Sequence, residues 1–171
     1  ESIEAILEGM RWVGIDWDEG PYYQTERFAR YAELAEKLIA EGKAYRCYCS
    51  KEELEHMRTA QVAKGENPRY DGRCRSRTEA VAGVEPVIRF RTPDRGTVVI
   101  DDLVRGHVVF DNAMLDDLVI MRPDGVPTFH FGVIIDDADM GITHVIRGDD
   151  HLNKTASHVH LIEVLGFQRP A

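Results

Sequence analysis

Cysteine is scarce in this sequence: there are three, an odd number, and two of them are a single residue apart. A disulfide framework is therefore not expected, and a reducing, cytosolic compartment is favoured. Positive charge is also short, with 21 Lys and Arg against 30 Asp and Glu, for a net charge of −9. That excludes a general DNA coat and a polybasic membrane binder. No apolar run approaches the roughly 20 residues of a membrane span. The start, Glu1-Ser2-Ile3-Glu4, is neither a signal nor a transit peptide, and it lacks an initiating Met, so the chain is expected to be part of something longer. Internal repeats and low-complexity tracts are missing too. What is there is an ordinary globular composition: 171 residues, 43 % apolar and 30 % charged, enough for one domain or for one domain with a small insert.

The charge is unevenly spread. Residues 1–42 carry four bases and ten acids, whereas residues 43–77 carry nine bases and five acids. This basic stretch also contains all three cysteines. On charge alone it is either a local phosphate contact or a solvated polar face.

Hydrophobic spacing predicts helices over Ile3–Val13, from a Thr25 cap through Phe28, Tyr31, Leu34 and Leu38, and from about Thr155 to Leu165. A capping box, Ser50 with Glu53, opens a further helix running towards Lys64-Gly65. Short strands are expected at 44–49, 87–91, 97–100, 107–110 and 118–121. Thr128–Met140 fits a helix, and Thr143–Arg147 reads as a buried strand. The order is that of an α/β domain with an insertion.

Two constellations carry chemistry. Cys47-x-Cys49 is followed by Cys74 after 24 intervening residues, three thiols that could hold a tetrahedral Zn²⁺ if a fourth ligand joins them. His56 and Tyr70 are the candidates, and three free thiols in a minor core are the alternative. The second is Arg147-Gly148-Asp149-Asp150-His151 at the end of the expected strand, where α/β sheets place their ligands. An Arg there suits a bidentate carboxylate, and the acids and His suit an amine, a ribose or an adenine; a salt-bridged turn is the alternative. Asp136, Asp137 and Asp139 superficially resemble a metal cluster but lack calcium-loop spacing, so they are expected to face solvent or close the helix end.

Taken together, Gly14-Ile15-Asp16-Trp17-Asp18-Glu19-Gly20-Pro21, Ala44-Tyr45-Arg46-Cys47-Tyr48-Cys49-Ser50, Pro68-Arg69-Tyr70-Asp71-Gly72-Arg73-Cys74, Asp124-Gly125-Val126-Pro127-Thr128-Phe129-His130-Phe131 and Thr143-His144-Val145-Ile146-Arg147-Gly148-Asp149-Asp150-His151 resemble the glutamyl-tRNA synthetases, class I aminoacyl-tRNA synthetases. The resemblance runs in order along essentially the whole chain. It implies part of a Rossmann-like catalytic domain, residues 1–42 and 115–171, interrupted by an α+β connective insertion at 43–114 that meets the acceptor end of tRNA-Glu. It implies glutamate contacts from Arg147, Phe129 and Val133, with Phe129 standing where relatives commonly have a tyrosine. It also implies an ATP and ribose pocket at Asp150 and His151, with Mg²⁺ accompanying ATP. For the thiols it implies zinc on Cys47, Cys49 and Cys74, with Tyr70 as fourth ligand; many relatives place a histidine where this chain has Ser76. Arg46, Lys51, Arg69 and Arg73 become candidate tRNA contacts.

The resemblance further implies a cytoplasmic enzyme with no DNA or membrane partner. HIGH-type and KMSKS-type ATP motifs do not occur in these residues, so the chain alone is not expected to activate glutamate. A glutamyl-queuosine-tRNA(Asp) synthetase-like enzyme, which has a shorter insertion, and a non-catalytic tRNA-binding module of the same fold are the alternatives.

Overall fold

The computed structural model describes residues 2–171, apart from the side chains of Ser2 and Asp149. In chain order the elements are α1 (Ser2–Trp12), α2 (Phe28–Ala40), β1 (Ala44–Cys47), α3 (Lys51–Ala63), β2 (Val87–Phe90), β3 (Thr97–Asp102), β4 (Gly106–Asp111), β5 (Val119–Met121), α4 (Phe129–Asp139) and α5 (Leu152–Leu165). Their order follows the expected one, and the Ser50–Glu53 capping box forms in both directions at the start of α3.

The apolar spacing explains the packing. Tyr31, Leu34, Ala35 and Leu38 form one stripe of α2, and all four are buried. They meet Phe131, Ile134 and Ile135 of α4 and Leu161, Ile162 and Leu165 of α5, over Ala44, Phe90, Ile120 and Met121 of a three-stranded sheet. That sheet is antiparallel, in the order β1-β2-β5. Each of the largest of these side chains contributes about 1.5–3 kcal/mol by leaving water. The hairpin β3–β4 forms a second antiparallel layer, and Val98 and Ile100 pack on Ala156 and Val159 of α5. Helix α5 is thus covered on two sides, which is why its residues 156–162 are buried without a break. Gly166 closes it in the left-handed conformation, φ 73°, which only glycine adopts cheaply. No parallel strand pair occurs among the described residues.

Two local expectations are corrected. Thr25 does not cap α2: Gln24–Arg27 form a 3-10 turn and Arg27 occupies the cap position without a side-chain cap. The cause is tertiary, because Arg27 reaches across to Asp136 at 2.7 Å and Asp139 at 2.6 Å. Thr143–Arg147 is not a buried strand. Its backbone pairs only with the end of the chain, Val145 N–H to Ala171 O at 2.9 Å and Ala171 N–H to Thr143 O at 2.8 Å. Ile146 is 98 % exposed. An apolar run becomes an inner strand only where neighbouring strands take up its backbone groups, and none does so among the described residues.

Candidate functional site

The first site is built where β1 runs out towards α3. Strand alternation turns Tyr45 and Cys47 inwards, and α3 covers them with Met57 and Leu54. The loop at 70–74 then lays Tyr70 and Cys74 against the same small core. The three thiol sulfurs lie within 4.8 Å of one another. Cys49 Sγ and Cys74 Sγ are 3.6 Å apart. The Tyr70 hydroxyl stands 3.3 Å from Cys47 Sγ and 3.7 Å from Cys49 Sγ, and it accepts the backbone N–H of Cys74 at 3.0 Å. His56 is exposed on α3 and lies outside the cluster, so of the two candidate fourth groups the fold brings Tyr70 alone to the sulfurs.

A Zn–S length of about 2.3 Å places the sulfurs of a tetrahedral site roughly 3.8 Å apart, so the donor set converges at a spacing that fits zinc. The electrostatics of the thiols are mixed. Burial pushes the Cys49 thiol up to about 12. At Cys74 burial acts in that direction too, but hydrogen bonding from the Tyr70 hydroxyl and the Tyr48 backbone holds the thiol below its ordinary value. Burial, followed by the three thiols, pushes the Tyr70 phenol far above its usual range. Arg89, 6 % exposed, lies 4.0 Å over the Tyr70 ring and leaves its Nε without a protein partner. A buried cation with a spare donor that faces Cys47 is a countercharge that a thiolate there needs.

Sequence reasoning missed the group that supports this site. Asp117, 3 % exposed, accepts the Tyr45 hydroxyl, the Thr92 backbone N–H at 3.0 Å and Arg75 at 2.5 and 2.6 Å. Its carbonyl accepts Arg89 at 2.8 Å. Nothing in the local pattern distinguishes Asp117 from its neighbour Asp116; only the fold makes it a hub.

The second site lies at the start of α5. Arg147 is held by Thr155 Oγ1 and by His158 Nδ1, the latter at 3.3 Å. His158 in turn meets His130 of α4 at 2.9 Å. Burial lowers the proton affinity of Arg147, while Asp137 acts in the opposite direction. Phe129 opens α4 with its ring 71 % exposed and edge-on to His130, 5.6 Å between centroids. Val133 packs against the main core. Asp150 and His151 sit in the exposed 3-10 turn before α5, 3.5 Å apart. Asp149 belongs to the same motif, but its side chain lies outside the described residues.

Other sequence candidates take different positions. Asp136 and Asp139 are ion-paired with Arg27 and Arg30, and Asp136 also accepts the Tyr31 hydroxyl at 2.8 Å. They close the helix end, as expected, and do not form a metal cluster. Of the basic candidates, Arg46 pairs with Glu36 at 2.6 Å and Arg73 with Asp71 at 2.7 Å. Arg69 donates to the Ala113 carbonyl, beside a cleft of about 150 Å³, and Lys51 is exposed in the first turn of α3.

The profile of tRNA synthetases class I (E and Q), catalytic domain, matches residues 1–171, and the chain belongs to that family. Its fold is therefore part of the Rossmann-like class I catalytic domain. Within the family it is similar to glutamate–tRNA ligases. Glutamate–tRNA ligase 1 of Alkalilimnicola ehrlichii is 61 % identical over 171 residues, 99 % of this chain and 36 % of that protein. The ligase of Legionella pneumophila strain Corby is 58 % identical over 170 residues, with the same coverage. Among solved structures, a glutamate tRNA ligase from Elizabethkingia meningosepticum in complex with its amino acid superposes with a TM-score of 0.86 at 35 % identity, covering 99 % of this chain and 38 % of the other. The chain thus spans just over a third of the length of these relatives. They favour the glutamate ligase reading over the queuosine-modifying one.

Proposed function

We propose that this chain supplies the amino-acid pocket and the connective insertion of a glutamate–tRNA ligase. The carrying observation is Arg147, a solvent-exposed residue whose guanidinium is fixed by Thr155 and His158 beside the start of α5, in a chain of this family. Two of its N–H groups are occupied by those partners, and the remaining donors of the fork can grip a carboxylate of glutamate. Phe129 offers its exposed ring to the aliphatic part of the substrate, and Val133 closes the pocket floor from α4. Asp150 and His151 border the ATP ribose, and ATP with Mg²⁺ supplies the adenylyl group when bound.

In this reading residues 43–114 are the insertion between catalytic segments 1–42 and 115–171. Its basic face, with Arg46, Lys51, Arg69 and Arg73, meets the acceptor end of tRNA-Glu. Arg46 and Arg73 exchange carboxylate partners for phosphates, which lends binding a salt dependence. Zinc on Cys47, Cys49, Cys74 and Tyr70 pins the loop at 70–74 to β1, and the enzyme works in the cytoplasm.

The test is tRNA charging by an enzyme that carries this chain at the full length of its relatives. Arg147→Ala is expected to lower kcat/KM for glutamate at least 100-fold, and a variant as active as the parent overturns the assignment. Elemental analysis of protein purified without chelator is expected to find about one zinc per chain. Zinc-free, fully active protein would remove the metal from the reading.

A further inference from the structure

His130 and His158 face each other between α4 and α5, rings 5.1 Å apart and tilted at 59°. His158 is 7 % exposed, and a buried imidazole needs a partner at each nitrogen. It has both: Arg147 at Nδ1, 3.3 Å away, and His130 Nδ1 at Nε2, 2.9 Å away. A guanidinium only donates. His158 Nδ1 must therefore accept, its proton must sit on Nε2, and that proton is given to His130 Nδ1. His130 then carries its own proton on Nε2. A single arrangement satisfies all three side chains, and in it both imidazoles are neutral. Thr155, one helical turn before His158, takes another N–H of the same guanidinium, so α5 holds Arg147 at two points.

We infer that His158, its tautomer locked by His130, is a positioning residue that aims Arg147 at the substrate carboxylate. The inference rests on the glutamate-ligase reading above. Alone, a guanidinium on the coil between α4 and α5 samples many rotamers; two partners on one helix face fix its plane, and bidentate carboxylate binding depends on that plane. The groups facing the pair agree with a neutral chain. His158 is faced by Arg147, by His130 of α4 and by Lys154 of α5, and His130 is faced in addition by His151. Asp137 of α4 is the acid facing Arg147. A proton on either imidazole would turn an acceptor into a donor and add like charge beside the guanidinium.

The experiment measures tRNA charging by the full-length enzyme as glutamate and ATP are varied separately. His158→Leu is expected to raise the KM for glutamate about tenfold, with kcat and the KM for ATP within about twofold. His158→Asn, which places an amide oxygen near the position of Nδ1, is expected to restore most of the loss. His130→Ala, which frees the tautomer without touching Arg147, is expected to raise the KM about threefold. An unchanged glutamate KM in His158→Leu overturns the inference, as does an equal rise for both substrates. Should the Leu variant fail to fold, the tautomer decides: nitrogen NMR of the parent is expected to show His158 protonated at Nε2, and protonation at Nδ1 overturns it. A parent enzyme that does not charge tRNA with glutamate at all refutes the ligase reading instead. An active parent with an indifferent His158→Leu refutes the role of His158 alone.

Discussion

The thiol cluster and the Arg147 site solve opposite problems. The cluster is largely closed: Cys47, Cys74 and Tyr70 are buried and Cys49 is half-buried, with Cys47 at the end of β1 and Cys49 two residues beyond it. The Arg147 site is half open, with Phe129, Asp150 and His151 in solvent, and it draws its order from histidines on two different helices. The Arg147 site leaves those groups to solvent and holds the guanidinium from behind, through Thr155 and His158.

That contrast can be broken from either side. The largest effect is expected at the hub under the thiols. Asp117→Ala removes the acceptor of Tyr45, Thr92 and Arg75 and leaves the guanidinium of Arg75 without its buried partner. Chemical denaturation should show a loss of about 3–5 kcal/mol, and a loss below 1 kcal/mol would mean that the hub is decorative.

Next comes pH, which should act on the open site through His158. Burial, then Arg147, pushes His158 down to about 4. Because its folded value lies below its unfolded value, the unfolded state takes up the proton first as pH falls. The stability contributed by the neutral ring is therefore full above about pH 6.5 and is lost progressively as pH falls from there through 4, by up to about 3 kcal/mol. Denaturation midpoints measured across that window should fall in the parent and fall less in His158→Asn. Parallel pH profiles would locate the acid sensitivity elsewhere.

A subtler change tests the closed site. Tyr70→Phe keeps the ring and removes only the hydroxyl that approaches Cys47 and Cys49 and accepts from Cys74. Zinc affinity, followed by competition with a chromogenic chelator, should drop about 10- to 100-fold. Unchanged affinity would show that the phenol is a neighbour of the metal and not a ligand. The smallest effect is expected at Ile146→Ser in this 171-residue chain: at 98 % exposure the side chain contributes almost nothing, so stability should move by less than about 0.5 kcal/mol. A buried strand residue would have cost several times that.

Most of the secondary structure was legible because period and capping are local. The stripe of α2 and the Ser50–Glu53 box each need only a few neighbouring residues to be recognised, and both formed. Thr25 and Thr143–Arg147 misled for one shared reason, that a local signal was outranked by a distant partner. Arg27 answers to Asp136 more than 100 residues away, and Val145 answers only to Ala171. At the candidate sites the sequence named the thiols and the guanidinium and missed the groups packed around them: Asp117, Arg89, Thr155, His130 and His158.

The sequence by itself determined the kind of residue at each site, the order of the elements and the family, since thiols, a guanidinium and motif spacing are properties of the chain. Only the tertiary structure decided that Tyr70 and not His56 joins the sulfurs, that Asp117 anchors the loop, and that two imidazoles stand behind Arg147. Hydrogen bonds and ion pairs act over about 3 Å, and whether two side chains come within that range across dozens of residues is settled by packing.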